Sequence, residues 1–406
     1  MAGPLSHLRV LDLSRVLAGP WAGQILADMG AQVIKVERPG AGDDTRSWGP
    51  PNLKDADGNE TRESGYYLAA NRGKRSITLN LESPEGRQIV RELAEQSDIL
   101  LENFKVNTLG RHGLGYEDLA AVNPRLIYCS ITGFGQSGPR HAMPAYDFQI
   151  QGMGGMMSIT GRGDAEQGGG PQKVGIPIID LITGVYATTA VLAALAAREV
   201  TGKGDHVDIA MLDVQVGLLA NQAMNYLIGG KTPQRTGNAH PNIQPQGVFA
   251  CSDGDMILAV GNDGQFAKLC EVIGCPGWAQ DERFQRNQAR VRNQATLTPL
   301  LQQRLAQNTR RHWVQVLEAA GVVCGPINTI PEVFEEPQVV HRNMLRHLEH
   351  PLAGTVPQVV TPVRFKEAGL NIQSPPPLLG QHTEEILREL GRGPDDVERL
   401  RASQVI

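Results

Sequence analysis

The sequence predicts an α/β protein: a large Rossmann-like domain built from both chain ends, 1–228 and 326–406, and a small central α+β domain, 229–325. Three observations carry this. Strand and helix patterns alternate through the N-terminal part, as in βαβ units that build parallel sheets. From Gly229 to Gln246 the chain turns rich in Gly, Pro, Asn and Gln, which marks a crossing into another unit. Pro326 onward reads as a return to the first domain, with proline-rich connectors near Pro351 and from Pro375 to Pro377. At 406 residues the chain exceeds one ordinary core, which fits two domains.

Leu8 to Ser14, rich in Leu and Val, reads as the first strand. Gly19-Pro20 opens a helix over Trp21 to Met29, because proline suits a first helical turn. Ala31 to Glu37 is the next strand and completes a βαβ unit. A helix over Pro84 to Gln96 leads into a strand at Asp98 to Leu101, and Arg125 to Ile131 is another strand. Thr183 to Glu199 is a helix with small residues on most faces, so it packs closely. His206 to Ala210 is a short strand, followed by a helix over Met211 to Leu227. The small domain opens with a hairpin: Gly247 to Cys251, a Ser252-Asp253-Gly254 turn, then Met256 to Val260.

Composition narrows the function. A hydrophobic share of 41% and a charged share of 20% describe a globular chain. The net charge of −5 argues against nucleic acid as a partner, since a phosphate backbone calls for a basic surface. Five scattered cysteines contain no C-x-x-C pair, so they read as free thiols in a reducing compartment, with neither a disulfide framework nor a metal site. No leader is recognisable, and the longest apolar stretch, Gly184 to Ala197, is shorter than a membrane span. A cytoplasmic protein with no membrane association is expected.

Four segments could carry chemistry. Asp180 stands alone after an apolar run and just before the buried-looking helix. That setting fits a helix N-cap, for which Asp is favoured. It equally fits a nucleophilic carboxylate, which needs partial desolvation and nearby N–H groups. The stretch Gln151-Gly152-Met153-Gly154-Gly155 offers backbone N–H groups for an oxyanion, or is simply a close turn. It follows no first strand and lacks G-x-G-x-x-G, which disfavours a dinucleotide. A basic set, Arg15, Arg38, Arg46, Lys74, Arg75, Lys105 and Arg111, could bind phosphates, with several members after strand ends, where open α/β sheets bind ligands. The polar loop Asn238 to Gln246 is the fourth, either a carboxylate-binding loop or a linker.

Read together, the motifs resemble the class III coenzyme A-transferase family, which includes formyl-CoA, carnitine and succinyl-CoA transferases. The carriers are Val10 to Pro20, Val33 to Asp43, Asn71 to Leu81, Glu102-Asn103-Phe104, Tyr146 to Gly152, the Asp180 segment and Leu195 to Gly204. The resemblance implies Asp180 as the catalytic aspartate. It implies a coenzyme A site at Val16, Leu17, Ala18, Arg38, Leu79, Asn80, Leu81, Asn103, Phe104, Lys105 and Arg111, with Tyr146 and Asp147 as a tyrosine–acid pair beside it. No permanently bound cofactor is implied: the coenzyme A thioester is a substrate, alongside a carboxylic acid. The partner implied is a second copy of the chain in an interlocked homodimer, with each active site between subunits.

Formyl-CoA transferases carry consecutive glycines where this chain reads Asn238 to Gln246. That departure, with Ala259 to Asp263, is closer in pattern to transferases that use succinyl-CoA and dicarboxylic acids such as glutarate, itaconate or citramalate. Arg46, Arg72 and His240 are the sequence's candidates for a distal carboxylate. Two other activities stand beside this reading. An α-methylacyl-CoA racemase needs two acid/base groups across an α-carbon, but Tyr146 stands where racemases place a histidine, and its ordinary pKa is about 10. A non-catalytic coenzyme A-binding protein would need no Asp180.

Overall fold

The computed structural model describes residues 3–372 and 374–406. Six parallel strands form the main sheet: β1 (Arg9–Asp12), β2 (Gln32–Glu37), β3 (Lys74–Thr78), β4 (Ile99–Glu102), β5 (Ile127–Thr132) and β6 (His206–Ala210). Their order is β3-β2-β1-β4-β5-β6. The order reverses between β1 and β4. In an open α/β sheet the crevice beyond the carboxyl ends at such a switch point is where ligands bind. Here it is flanked by the loops after Asp12 and after Glu102.

Both sheet faces are covered, as all-parallel sheets require. On one face Val10, Val33, Ile99, Leu101, Ile127 and Cys129 pack against α1 (Ala18–Asp28) and the 24-residue α3 (Ile178–Thr201). On the other, Leu11, Ile77 and Leu100 pack against the helix Pro84–Glu95 and against Ile386, Leu387, Val397 and Leu400. The C-terminal helices thus complete the layer that the N-terminal half leaves open. Between β5 and α3 lies the short helix α2 (Asp147–Met153). Among the described residues α3 alone is long and apolar enough to cross a membrane. It packs against α1, carries Asp180 in its first turn, and ends on the buried Arg198, which bonds to Asp98 at 3.0 Å.

The chain divides into two compact units, 1–155 with 174–221 and 338–406, and 156–173 with 222–337. The second holds an antiparallel sheet of Gln246–Cys251, Gly254–Ala259 and Val323–Pro326 around Phe249, Leu258, Phe266 and Trp313. These limits differ from the sequence-based 228/229 and 325/326 for identifiable reasons. Val323–Pro326 pairs with Gly254–Ala259, which holds Pro326 in the second unit. Arg235 donates to the Ser158 carbonyl at 3.1 Å and Gly237 N–H to the Gly161 carbonyl at 3.1 Å, which tie 156–173 to it.

Two arginines that the sequence offered for substrate are structural. Arg72 is 1% exposed and forks onto Asp28 at 2.9 and 2.7 Å. Its third nitrogen reaches Gln358 Oε1 and the Val359 carbonyl, both at 3.0 Å, and so anchors the returning C-terminal segment. Arg46 forks onto Glu37 at 2.8 and 2.9 Å and bonds Glu63 and the Pro377 carbonyl. Removing one partner of a buried pair strands the other. Arg72→Met should lower the unfolding free energy by about 3–5 kcal/mol, read as a shifted midpoint in urea denaturation. A change below 1 kcal/mol would show that the pair does not hold the C-terminal segment.

Candidate active site

The turn after β1 is where the site begins. Val16 sits at φ 67°, the left-handed region, which a β-branched side chain enters at a cost of about 1–2 kcal/mol. The turn is held by bonds from every side. Asn103 accepts from Arg15 N–H at 2.8 Å and donates to the Arg15 carbonyl at 2.7 Å. Val16 N–H donates to Asp43 Oδ1 at 3.2 Å. Lys35, fully buried, donates to the Ser14 carbonyl at 2.8 Å and pairs with Asp43 at 2.9 Å. Lys74, also fully buried, donates to Asp12 and to the Pro20 carbonyl, both at 2.8 Å. Burial would raise Asp43, but Lys35 beside it holds the carboxyl down at about 2. Burial pulls the Lys74 ammonium to about 8 against the opposing pull of Asp12.

Asp180 lies in the first turn of α3, and it is not the cap. The helix N-cap is Pro177, which offers no side-chain bond. Asp147 takes that role from α2: its Oδ2 accepts from Ile179 N–H at 2.6 Å and from Asp180 N–H at 3.1 Å. A carboxylate is the group a helix N-terminus favours. Oδ1 of Asp147 accepts from Gln151 Nε2 at 2.5 Å. The Asp180 carboxylate is thereby spared capping and, among the described residues, accepts no hydrogen bond and forms no ion pair. Burial, and then the negative Asp147, push its pKa up to about 7. Tyr66, on the helix Gly65–Ala70, is pushed up to about 12 by burial and then by Asp180 and Asp147. Its ring stands edge-on to Trp48 at 5.0 Å.

Two adjoining cavities meet at the switch point. One is lined by Arg38, Leu79, Asn80, Leu81, Arg15 and Phe104. The other is lined by Val16, Leu17, Ala18, Asn103, Lys105, Tyr146 and Asp180, again with Arg15 and Phe104. Arg15 lies over the Phe104 ring at 5.0 Å, on the border the cavities share. Leu17 is the N-cap of α1 and makes no side-chain cap bond, so this helix end opens on the Asp180 cavity uncapped. Gly184, one turn beyond Asp180, allows the approach: a Cβ there would lie 2.7 Å from the Ala18 carbonyl oxygen.

Most of the sequence-predicted set therefore gathers around these cavities, and some of it does not. Arg111 is exposed and lines neither. Asp147 is buried, with both oxygens engaged by Gln151 and the first turn of α3. Arg46 and Lys74 are consumed by buried pairs, and Arg75 pairs with Glu385 and Glu389. Of the glycine-rich stretch, Gly154 N–H donates to the Ile150 carbonyl at 2.7 Å and Gly155 N–H to the Gly152 carbonyl at 3.4 Å, so neither is aimed at an oxyanion. The Asn238–Gln246 loop is bonded within its own unit. His240 Nδ1 accepts from Asn242 N–H at 3.1 Å, and Gln244 Nε2 donates to the His240 carbonyl at 2.9 Å.

Sequence reading missed Tyr66, His141, Lys35 and the role of Gln151. His141 lines the Asp180 cavity from the loop before α2 and bonds the Gly138 carbonyl at 2.8 Å. Lys35 did carry a signal: a lysine inside an apolar strand of a parallel sheet is buried on either face and needs a partner. Tyr66 and His141 carried none.

With this geometry, the likeness to known proteins becomes specific. The family model described as CoA-transferase family III matches residues 5–383. The succinate–glutarate CoA-transferase of Agrobacterium fabrum is 49% identical over 387 residues, which span 95% of this chain and 96% of that one. The human succinyl-CoA:glutarate CoA-transferase is 42% identical over 392 residues, covering 97% and 87%. The crystal structure of a CAIB/BAIF family protein from Brucella suis superposes with a TM-score of 0.84 at 49% identity, covering 96% of this chain and all of that one, 100%. The chain belongs to CoA-transferase family III, as a transferase enzyme.

Proposed function

We propose that this transferase carries coenzyme A from succinyl-CoA to a dicarboxylic acid such as glutarate, itaconate or citramalate, with Asp180 as the nucleophile. The observation that carries the reading is the division between two aspartates: Asp147 caps α3, which leaves the Asp180 carboxylate unengaged in a cavity at the switch point. An Asp180 oxygen attacks the thioester carbonyl, the C–S bond breaks, and coenzyme A leaves as thiolate. The thiolate attacks the aspartyl carbon of the mixed anhydride and expels the donor acid as carboxylate. The acceptor carboxylate attacks the resulting aspartyl thioester, and the thiolate leaves again. The thiolate then takes the acceptor's acyl carbon and restores the Asp180 carboxylate. Each intermediate is itself activated, so no nucleotide is consumed.

Charge develops on a carbonyl oxygen at each step. The uncapped end of α1 at Leu17 and Ala18 supports an oxyanion role, with each well-placed donor worth roughly 3–4 kcal/mol. For the distal carboxylate, the cations on the Asp180 cavity are Arg15 and Lys105. The Arg15–Asp44 pair, at 3.3 Å with both side chains more than a third exposed, is weak enough to yield. The names of the Agrobacterium and human relatives support glutarate. Exposed Val185, Tyr186 and Val200 on α3, with Tyr226, Leu227 and Ile228 further on, support a second copy of the chain as partner.

Asp180→Ala should lower kcat by at least about a thousandfold while the protein keeps its circular dichroism. Wild-type enzyme given donor alone should form a coenzyme A thioester on Asp180 that hydroxylamine converts to a hydroxamate, read by peptide mass. Near-normal turnover in the variant would sink the mechanism.

The rate should depend on Asp180 ionisation. Its folded-state pKa is raised to about 7, so below that pH the carboxyl is neutral and a poor nucleophile. The kcat/KM for the donor should rise about tenfold per pH unit below 7 and level off above it. A profile flat from pH 5 to 8 would contradict this.

A panel of acids offered with succinyl-CoA, scored by the new thioester formed, tests the substrate class. Dicarboxylic acids of about four to six carbons should be accepted. Activity confined to formate or to aromatic acids would overturn the assignment.

A further inference from the structure

We infer that Gln151 is a positioning residue for the Asp180 carboxylate: its amide fixes Asp147, and Asp147 fixes the first turn of α3. The inference rests on Asp180 as the nucleophile.

Gln151 is fully buried, and both ends of its amide are used. Nε2 donates to Asp147 Oδ1 at 2.5 Å, and Oε1 accepts from Val174 N–H at 2.9 Å. The reverse rotamer would face its oxygen to a carboxylate and its NH2 to an N–H, so only one orientation satisfies both partners. Asp147 and Gln151 stand four residues apart, on one face of α2. Asp147 Oδ2 then holds Ile179 N–H at 2.6 Å and Asp180 N–H at 3.1 Å. The path from Gln151 to the backbone of the nucleophile is two side chains long, with no exposed atom needed. It also ties the backbone of Val174, ahead of α3, to α2.

Without the amide, Asp147 keeps its bonds to α3 but loses the donor that sets its rotation. The first turn of α3 then shifts, and displacement of a reacting group by about 1 Å costs about a hundredfold in rate. Coenzyme A binding is spared, because Gln151 lines neither cavity. The titratable groups around this pair are few. Asp147 faces Asp180 and Tyr66, and the Asp180 cavity adds Arg15, Asp44, Lys105, His141 and Tyr146.

That setting makes Gln151→Glu diagnostic. A neutral glutamic acid can donate its O–H to Asp147 and accept from Val174 N–H, as the glutamine does. An ionised one opposes Asp147. The experiment compares wild type, Gln151→Met, Gln151→Glu and Asp180→Ala by kcat from about pH 5.5 to 8.5 and by the Kd of desulfo-CoA from calorimetry. Gln151→Met should lose about 10–100-fold in kcat at every pH, with the Kd within about threefold of wild type. The ratio of Gln151→Glu to wild type should be highest at low pH and fall as pH rises. Wild-type kcat in Gln151→Met, or a ratio for Gln151→Glu independent of pH, would overturn the inference. So would a Kd that worsens in step with kcat. Turnover by Asp180→Ala would instead remove the nucleophile reading itself, whatever the Gln151 variants do.

Discussion

Two lysines without access to water hold the turn on which both cavities depend. Lys35 and Lys74 lie on the neighbouring strands β2 and β3, two residues apart in register, and pair with Asp43 and Asp12. A buried charge is tolerated only when paired and hydrogen-bonded, and here the remaining donors are directed at the Ser14 and Pro20 carbonyls. Those oxygens bracket Val16, Leu17 and Ala18, which line the Asp180 cavity. Val16 can stay in a left-handed conformation because its neighbours on both sides are anchored, one by Asn103 and one by the start of α1. The strand order brings β1 next to β4, and so sets Asn103 against Arg15. The Asn103 side chain thus builds part of the wall of the Asp180 cavity.

The second constraint is the carboxylate at the end of α3. A helix N-terminus attracts an anion, and Asp180 in the first turn could have supplied it by folding back. Asp147 arrives from α2 and satisfies Ile179 and Asp180 N–H, so the local electrostatic demand is met from outside the helix. The same charge disfavours ionisation of Asp180, on top of its burial. On the proposed mechanism, the raised pKa makes Asp180 a better nucleophile than an ordinary aspartate once ionised, and a somewhat poorer leaving group from its mixed anhydride.

How far the sequence reached follows from which residues were buried for apolar reasons. The strands at 9–12, 32–37, 99–102, 127–132 and 206–210 were legible because Val, Ile and Leu dominate them. Strand β3, Lys-Arg-Ser-Ile-Thr, was not read, although it is the sheet edge beside β2. Its inward groups are Lys74 and Ser76, bonded to Asp12 and Glu37, and hydropathy does not register a polar residue that is buried because it is paired. Arg46 and Arg72 misled for the same reason. Asp180 was found, with its own neighbourhood leaving cap and nucleophile both open and the family resemblance pointing to the nucleophile. Asp147, which does the capping, lies 33 residues away in sequence, and no local pattern joins the two.

On the proposed mechanism, the two helix ends at the cavity have unequal duties. The end of α3 is filled by an internal anion and serves as scaffold for the nucleophile. The end of α1, with Leu17 at its cap and no side chain to satisfy it, has its N–H groups available to charge that appears only during reaction. If both ends were capped, the oxyanion would meet no preorganised donor. If neither were, Asp180 would be drawn to its own helix terminus and would attack more slowly. Gly184 lets the two helices approach closely enough for one cavity to use both ends. The small side chains of α3 are therefore a requirement of the chemistry as much as of the packing.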